Sequence, residues 1–201
     1  MTALVPAVRR RLDATDIARA GVFAAVIAVL GVPGAFTIFG AVPITAQTLG
    51  VMLAGAILGP TVGALSVTAV LALVAAGLPL LAGGRGGIGV FFGPTGGYLL
   101  GWLVGAVVIG LIVHAAGRRP VWWRTFLGTL VGGVLVVYAV GIPVQAVVLR
   151  IGIGEAALSG LVFLPGDLIK VAATTLIVGT LVRGYPRAFR RQWRTRPTAA
   201  A

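Results

Sequence analysis

Two ionisable side chains enter an apolar run near the end of the chain. Pro165-Gly166-Asp167-Leu168-Ile169-Lys170 carries an acid and the only lysine of the sequence, three residues apart. That spacing puts both on one face of a helix. If the helix enters a membrane near Leu164, Lys170 lies roughly 9 Å deep at 1.5 Å rise per residue. An unpaired lysine near the centre of a membrane helix costs about 2.5 to 3.5 kcal/mol even on the mildest insertion scale. The two are therefore expected to face the protein interior as a pair. Such a pair reads either as a ligand site, the default meaning of charge inside a membrane, or as an internal ion pair that fixes the helix.

A second group of candidates lies in the stretch from Gly77 to Tyr98, GLPLLAGGRGGIGVFFGPTGGY. Its one charge, Arg85, can fork onto a carboxylate. Gly84, Gly86, Gly87, Gly96 and Gly97 would let the backbone approach a ligand closely. The competing reading is a surface loop that is merely rich in glycine. Tyr98 would add an aromatic face and a hydroxyl, Gln47 an amide and Thr45 a hydroxyl, and each of these could equally serve packing or the membrane interface. His114 stands beside arginines without the partner ligands a metal needs.

Composition says what holds these groups. Of 201 residues 59% are hydrophobic and 10% charged, with a mean hydropathy of +1.09, which marks an integral membrane protein. Backbone in lipid must satisfy its own hydrogen bonds, so the apolar runs are expected as helices, and strand-period alternation for a barrel is absent. The fold class is all-α, one membrane domain over residues 1–201, with a basic leader at 1–14 and a basic tail at 183–201. Six spans are expected. They run from Ile17 to Val32, Ala46 to Leu58, Thr61 to Ala76, Gly93-Pro94-Thr95 to Ala115, Arg124 to Val140, and Leu164 to Val182. Gly59-Pro60 turns the chain between the second and third, the glycine-rich loop joins the third and fourth, and Gly141-Ile142-Pro143 ends the fifth. Val144 to Ser159, with Arg150 and Glu155, is expected as a short amphipathic helix over the outer opening. The first apolar run lacks a small-residue cleavage site and is taken as a mature helix.

The net charge of +12 would suggest nucleic acid in a soluble protein, but it resides mostly in arginines at segment ends. Positive residues collect in cytoplasmic loops. With both termini inside, Arg9, Arg10, Arg11, Arg19, Arg118, Arg119, Arg124 and the tail arginines are cytoplasmic, and Arg85 and Arg150 are outside. Trp122 and Trp123 suit an interfacial belt. Ala20, Ala24 and Ala28, four residues apart, allow close helix approach, either to a partner or within the fold. There is no P-loop and no cysteine, and only four acidic residues and one histidine are present. The chain therefore reads as no enzyme, with no catalytic residue, no metal and no cofactor of its own.

Three motifs together resemble the BioY family of biotin transporters: VPITAQTLGV from Val42 to Val51, AGGRGGIGVFFGPTGGYLLGW from Ala82 to Trp102, and FLPGDLIK from Phe163 to Lys170. The resemblance extends from about Ala18 to Leu181. Members of this family are substrate-binding S components of energy-coupling factor transporters. The resemblance implies a six-helix S-component fold, a biotin site open to the outside, and coupling to a transmembrane T component and two cytoplasmic ATPases, which alone use ATP. It also implies docking of the T component on the stripe Ala20, Ala24, Ala28. Biotin's ureido ring offers one carbonyl and two N–H groups, which Lys170 and Asp167 can answer. Its carboxylate would go to Arg85 or to backbone N–H groups at the start of the fourth helix. One departure stands out: after the Gly141-Ile142-Pro143 turn, where family members often carry an aromatic residue, this chain has Val144. Rival readings are an S component for another vitamin or small solute, a proton-coupled secondary transporter with Asp167 and Lys170 as relay, or a membrane assembly partner with no ligand. A homo-oligomer working alone is a further arrangement the sequence admits.

Overall fold

The structure is a computed structural model that describes residues 12–32, 36–37, 43–115, 120–186 and 188–189. Arg9, Arg10, Arg11, Arg118, Arg119 and most of the basic tail fall outside these residues. Helix α1 (Ala14–Val29) starts where the Asp13 side chain accepts the Asp16 N–H at 3.0 Å, satisfying one of the donors a helix start leaves open. A two-stranded antiparallel ribbon follows, β1 (Phe36–Thr37) against β2 (Pro43–Ile44), with Phe36 opposite Ile44.

Helix α2 (Gln47–Ala75) contains one non-helical residue, Gly59, at φ 82° and ψ −178°. Only glycine takes that conformation without strain, and Pro60 directly after it suits the first position of a new helical leg. A straight helix of 29 residues would be about 43 Å long. Yet Gln47 at its start bonds Leu80 and Ala82, just beyond its end. The two legs, residues 47–58 and 60–75, therefore fold back on each other. They touch backbone to backbone: a Cβ built on Gly63 would lie 2.9 Å from the Ala54 carbonyl oxygen. The break expected at Gly59-Pro60 is thus a one-residue hinge.

Helix α3 (Gly96–Val113) lies against this hairpin. A Cβ on Gly55 would meet the Ala106 carbonyl at 2.7 Å, and one on Gly110 would collide with the Pro60 backbone nitrogen. His114, just past α3, reaches the Ala56 carbonyl with Nε2 at 2.8 Å, so that nitrogen carries the proton.

Helix α4 (Trp122–Leu130), a π-helical stretch (Val131–Val136) and helix α5 (Val137–Leu149) form one continuous rod. The expected end at Gly141-Ile142-Pro143 is not there. A proline inside a helix removes one hydrogen bond, a loss that transmembrane helices tolerate, and Gly141 lies so close beneath the Tyr98 ring that a Cβ would strike it. Helical backbone therefore carries on to Leu149. The π stretch seats Gly132 on Ile109 and Gly133 on Met52. Arg150, at φ 56°, then turns the chain. The amphipathic helix expected over Val144 to Ser159 is accordingly shorter and later, α6 (Ile153–Leu161), and α7 (Leu164–Gly184) closes the described helices.

Four of these elements are long and apolar enough to cross a membrane by length and composition: α2, α3, the rod Trp122–Leu149, and α7. Trp122 and Trp123 stand exposed at the start of the rod.

Gln47 is 2% exposed and staples the hairpin's open end. Its Nε2 donates to the Leu80 carbonyl at 2.9 Å and its Oε1 accepts the Ala82 N–H at 3.0 Å. Gln47→Leu would leave both backbone groups unpaired at about 1 to 3 kcal/mol each. The ligand-free protein is therefore expected to lose roughly 2 to 4 kcal/mol of stability, read as an earlier thermal transition in detergent. An unchanged transition would contradict the staple.

Candidate functional site

One end of the helical assembly holds a cavity of about 210 Å³. Its wall is drawn from the start of α2 (Thr45, Gln47, Thr48), the crossing after α2 (Leu81, Ala82, Arg85), the start of α3 (Pro94, Thr95, Tyr98, Leu99, Trp102), α5 (Val137, Tyr138, Gln145) and the start of α7 (Phe163, Asp167, Lys170). Most of that wall is apolar, with charge concentrated at two places.

The first is the pair on α7. Lys170 Nζ lies 2.8 Å from Asp167 Oδ1, and the residues are 9% and 5% exposed. Burying two ions is repaid only when the geometry is good and the remaining donors and acceptors are satisfied. Both conditions are met here by other helices. Lys170 also donates to Thr48 Oγ1 on α2 at 2.7 Å, and Tyr138 on α5 donates its hydroxyl to Asp167 Oδ2 at 2.8 Å. Tyr138 in turn meets the Tyr98 ring edge-on, with centroids 6.2 Å apart and planes at 80°, a favoured aromatic arrangement.

The second charge is Arg85. Residues Leu81 and Arg85 exchange backbone hydrogen bonds at 3.0 and 3.2 Å, around a tight turn that Gly83 (φ 78°) and Gly84 (φ 69°) make possible. The Arg85 Nε donates to the Ala82 carbonyl at 3.3 Å. Among the described residues its terminal nitrogens have no protein partner, so they are available to a ligand anion. In the same wall Tyr98 donates to Gln145 Oε1 at 2.7 Å, and Gln145 donates to Ser159 on α6 at 3.0 Å.

Of the residues singled out from sequence, Asp167, Lys170, Arg85, Tyr98, Gln47 and Thr45 meet at this cavity. Gln47 does so with its amide already committed to backbone partners, so its part is to hold the wall. Gly84, Gly86, Gly87, Gly96 and Gly97 are not in the cavity wall. Gly84 and Gly87 serve positive φ; a Cβ on Gly86 would strike the Leu78 carbonyl, one on Gly96 the Phe91 carbonyl, and one on Gly97 would lie 2.5 Å from the Val144 Cβ. Val144 thus packs α5 onto α3.

The alanine stripe also needs correction. Ala20 and Ala24 are 3% and 7% exposed and lie on the face of α1 that carries buried Asp16 and Ile27, so they pack inside this chain and are closed to a partner. Ala28 is half-buried. Spacing identified a stripe but not its direction. Sequence reasoning gave no role to Tyr138 or Gln145. The signal was available, since a hydroxyl or an amide within an apolar helix has to find a partner.

Comparison with known proteins agrees with this arrangement. The biotin transporter BioY of Rhodobacter capsulatus is 47% identical over 180 residues, covering 84% of this chain and 93% of that protein. The biotin transporter BioY of Rhizobium etli is 41% identical over 181 residues, covering 87% and 97%. A crystal structure of the S component for biotin from an ECF-type ABC transporter superposes with a TM-score of 0.75 at 37% identity, covering 88% of this chain and 96% of that one. Residues 5–187 match the BioY family as a whole, and the chain, a multi-pass membrane protein, belongs to that family.

Proposed function

We propose that this protein binds biotin from outside the cell and serves as the S component of an ATP-driven energy-coupling factor transporter in the cytoplasmic membrane. The observation that carries the reading is a buried ion pair and a separate cation lining one mostly apolar cavity. Lys170 and Asp167 offer a donor and an acceptor side by side, matching a ureido ring with one carbonyl and two N–H groups. The apolar remainder of the wall suits the sulfur-bearing ring and aliphatic chain, and Arg85 suits the carboxylate. Relatives named as biotin transporters, and a neighbour described as a biotin S component, support the same ligand. Transport energy then comes from partners, a transmembrane T component with two cytoplasmic ATPases. The protein itself catalyses nothing.

Six traverses in one domain fit this role: α1, the two legs of α2, α3, the rod of α4 and α5, and α7. Supporting this count, the cavity takes residues from the start of α2, the crossing beyond its second leg, the start of α3, the second half of the rod Trp122–Leu149 and the start of α7, which is the alternation of an up-and-down path. The arginine asymmetry favours cytoplasmic termini and an outward-facing cavity.

Three experiments test this. Asp167→Asn combined with Lys170→Met removes both charges and leaves no ion unpaired; the variant should insert and purify normally yet bind biotin about a hundredfold more weakly, as for two lost contacts of 1.5 to 3 kcal/mol. Near wild-type affinity would remove both residues from the site. Arg85→Gln should weaken biotin about tenfold and leave neutral biotinamide almost unaffected, and equal loss for both ligands would take the carboxylate away from Arg85. A cysteine at Gly89, which is exposed and where a Cβ would meet nothing, should label with an impermeant reagent from outside in intact cells; labelling only in inverted vesicles would reverse the orientation.

A further inference from the structure

We infer that Thr48 and Tyr138 are positioning residues for ligand recognition, which aim the Lys170 and Asp167 side chains and thereby make the pair selective for a carbonyl flanked by N–H groups. This rests on the biotin reading above.

The argument starts from valences. A lysine ammonium has three N–H donors, and here two are spent, one on Thr48 Oγ1 at 2.7 Å and one on Asp167 Oδ1 at 2.8 Å. One donor remains, and two fixed bonds determine its direction. On its own a lysine is a point charge on a flexible four-carbon stem, able to follow any nearby acceptor. Thr48 removes that freedom from α2, a helix distinct from the one that carries the lysine.

Asp167 is constrained in the same way. Its Oδ1 takes Lys170 and its Oδ2 takes the Tyr138 hydroxyl at 2.8 Å, so the carboxylate plane is held from both sides. An ionised carboxylate has about four acceptor positions, and the two that remain are available to N–H donors in a defined plane. The ring of Tyr138 is itself restrained by its edge-on contact with Tyr98. Three helices, α2, α5 and α7, thus each contribute one part of a four-residue network that lines the cavity. Geometry set in advance lets a site spend its binding energy on the ligand and not on ordering its own side chains.

The test measures biotin binding to the purified full chain. Thr48→Val is nearly isosteric and removes only the hydroxyl, as does Tyr138→Phe. Each should weaken biotin about tenfold in protein that still inserts and purifies, and each should also lower the ligand-free thermal transition, because a buried ion loses one of its hydrogen bonds. Thr48→Ser keeps the hydroxyl and should bind like wild type. Because the two residues act through the pair, neither Thr48→Val nor Tyr138→Phe should cause further loss on the Asp167→Asn, Lys170→Met background, which leaves no ion unpaired. Wild-type affinity in both Thr48→Val and Tyr138→Phe would overturn the inference, and so would a Thr48→Ser variant as weak as Thr48→Val. Equal losses with and without the partner charge would overturn it too. In each of these cases, wild-type binding and its loss in the Asp167→Asn, Lys170→Met variant would leave the biotin reading standing. Failure of the wild-type chain to bind biotin at all would instead overturn that reading and this inference together.

Discussion

The structure depends on where one ion pair can be kept. Asp167 and Lys170 sit in the first two turns of α7, where an isolated ion would suffer a desolvation penalty of several kcal/mol. Their mutual attraction is not enough, because each also has further lone pairs or protons to satisfy. The remaining bonds come from Thr48 and Tyr138, so α2 and α5 must arrive beside α7 at the same height. This requirement shapes the rest. The hairpin in α2 places its start at the cavity end, and the π stretch precedes Val137 and Tyr138, an insertion of a kind often found at functional sites.

What brings the helices close enough is glycine, and hydrophobicity does little of this work. In lipid, apolar side chains gain little by meeting each other, and association relies on close packing of small residues. The chain follows that rule at several of its helix–helix contacts. Gly63 lies on Ala54 and Gly55, Gly110 on the Pro60 hinge, Gly97 beneath Val144, and Gly105 on Gly132. In every case a methyl group would run into backbone or a neighbouring side chain. The glycines that lend the stretch from Gly77 to Tyr98 its look of a ligand cradle act in part the same way, as turn formers and contact points that set the position of Arg85 and Tyr98.

This explains which features were legible in the sequence. A lysine and an aspartate three residues apart in an apolar run have few physical meanings, so their burial and pairing could be read directly. The same holds for Arg85, the single charge of its stretch. The helix boundaries were harder, since two similar signals had opposite outcomes. Gly59-Pro60 breaks α2 because Gly59 takes positive φ, whereas Gly141-Ile142-Pro143 remains helical because Gly141 fits under the Tyr98 ring. Only the tertiary neighbour distinguishes them. Direction was likewise hidden: the spacing of Ala20 and Ala24 defines a face of α1 but not what it faces. Gln47 shows the same limit from the other side, since its value lies in the carbonyl of Leu80 and the N–H of Ala82, more than 30 residues away.

The two charged groups of the cavity wall are held by different numbers of helices, and on the biotin reading that difference has a use. The α7 pair is fixed by three helices, which suits a ureido ring whose donors and acceptor have a set geometry. Arg85 stands on a turn of two positive-φ glycines, whose backbone is held by the Leu81 bridge, the Gly87 N–H bond to the Val74 carbonyl and the Gln47 bonds to Leu80 and Ala82, while its own side chain has one protein bond among the described residues, from Nε to the Ala82 carbonyl. A carboxylate at the end of a flexible aliphatic chain needs no such precision, because the attraction between full charges falls off slowly with distance compared with a directed hydrogen bond. A rigid pair can therefore decide which ring is accepted, while a more adjustable cation takes up the slack in the tail. The same division places the adjustable element in the crossing and not in a helix core, where movement would disturb the contacts that keep the buried pair satisfied.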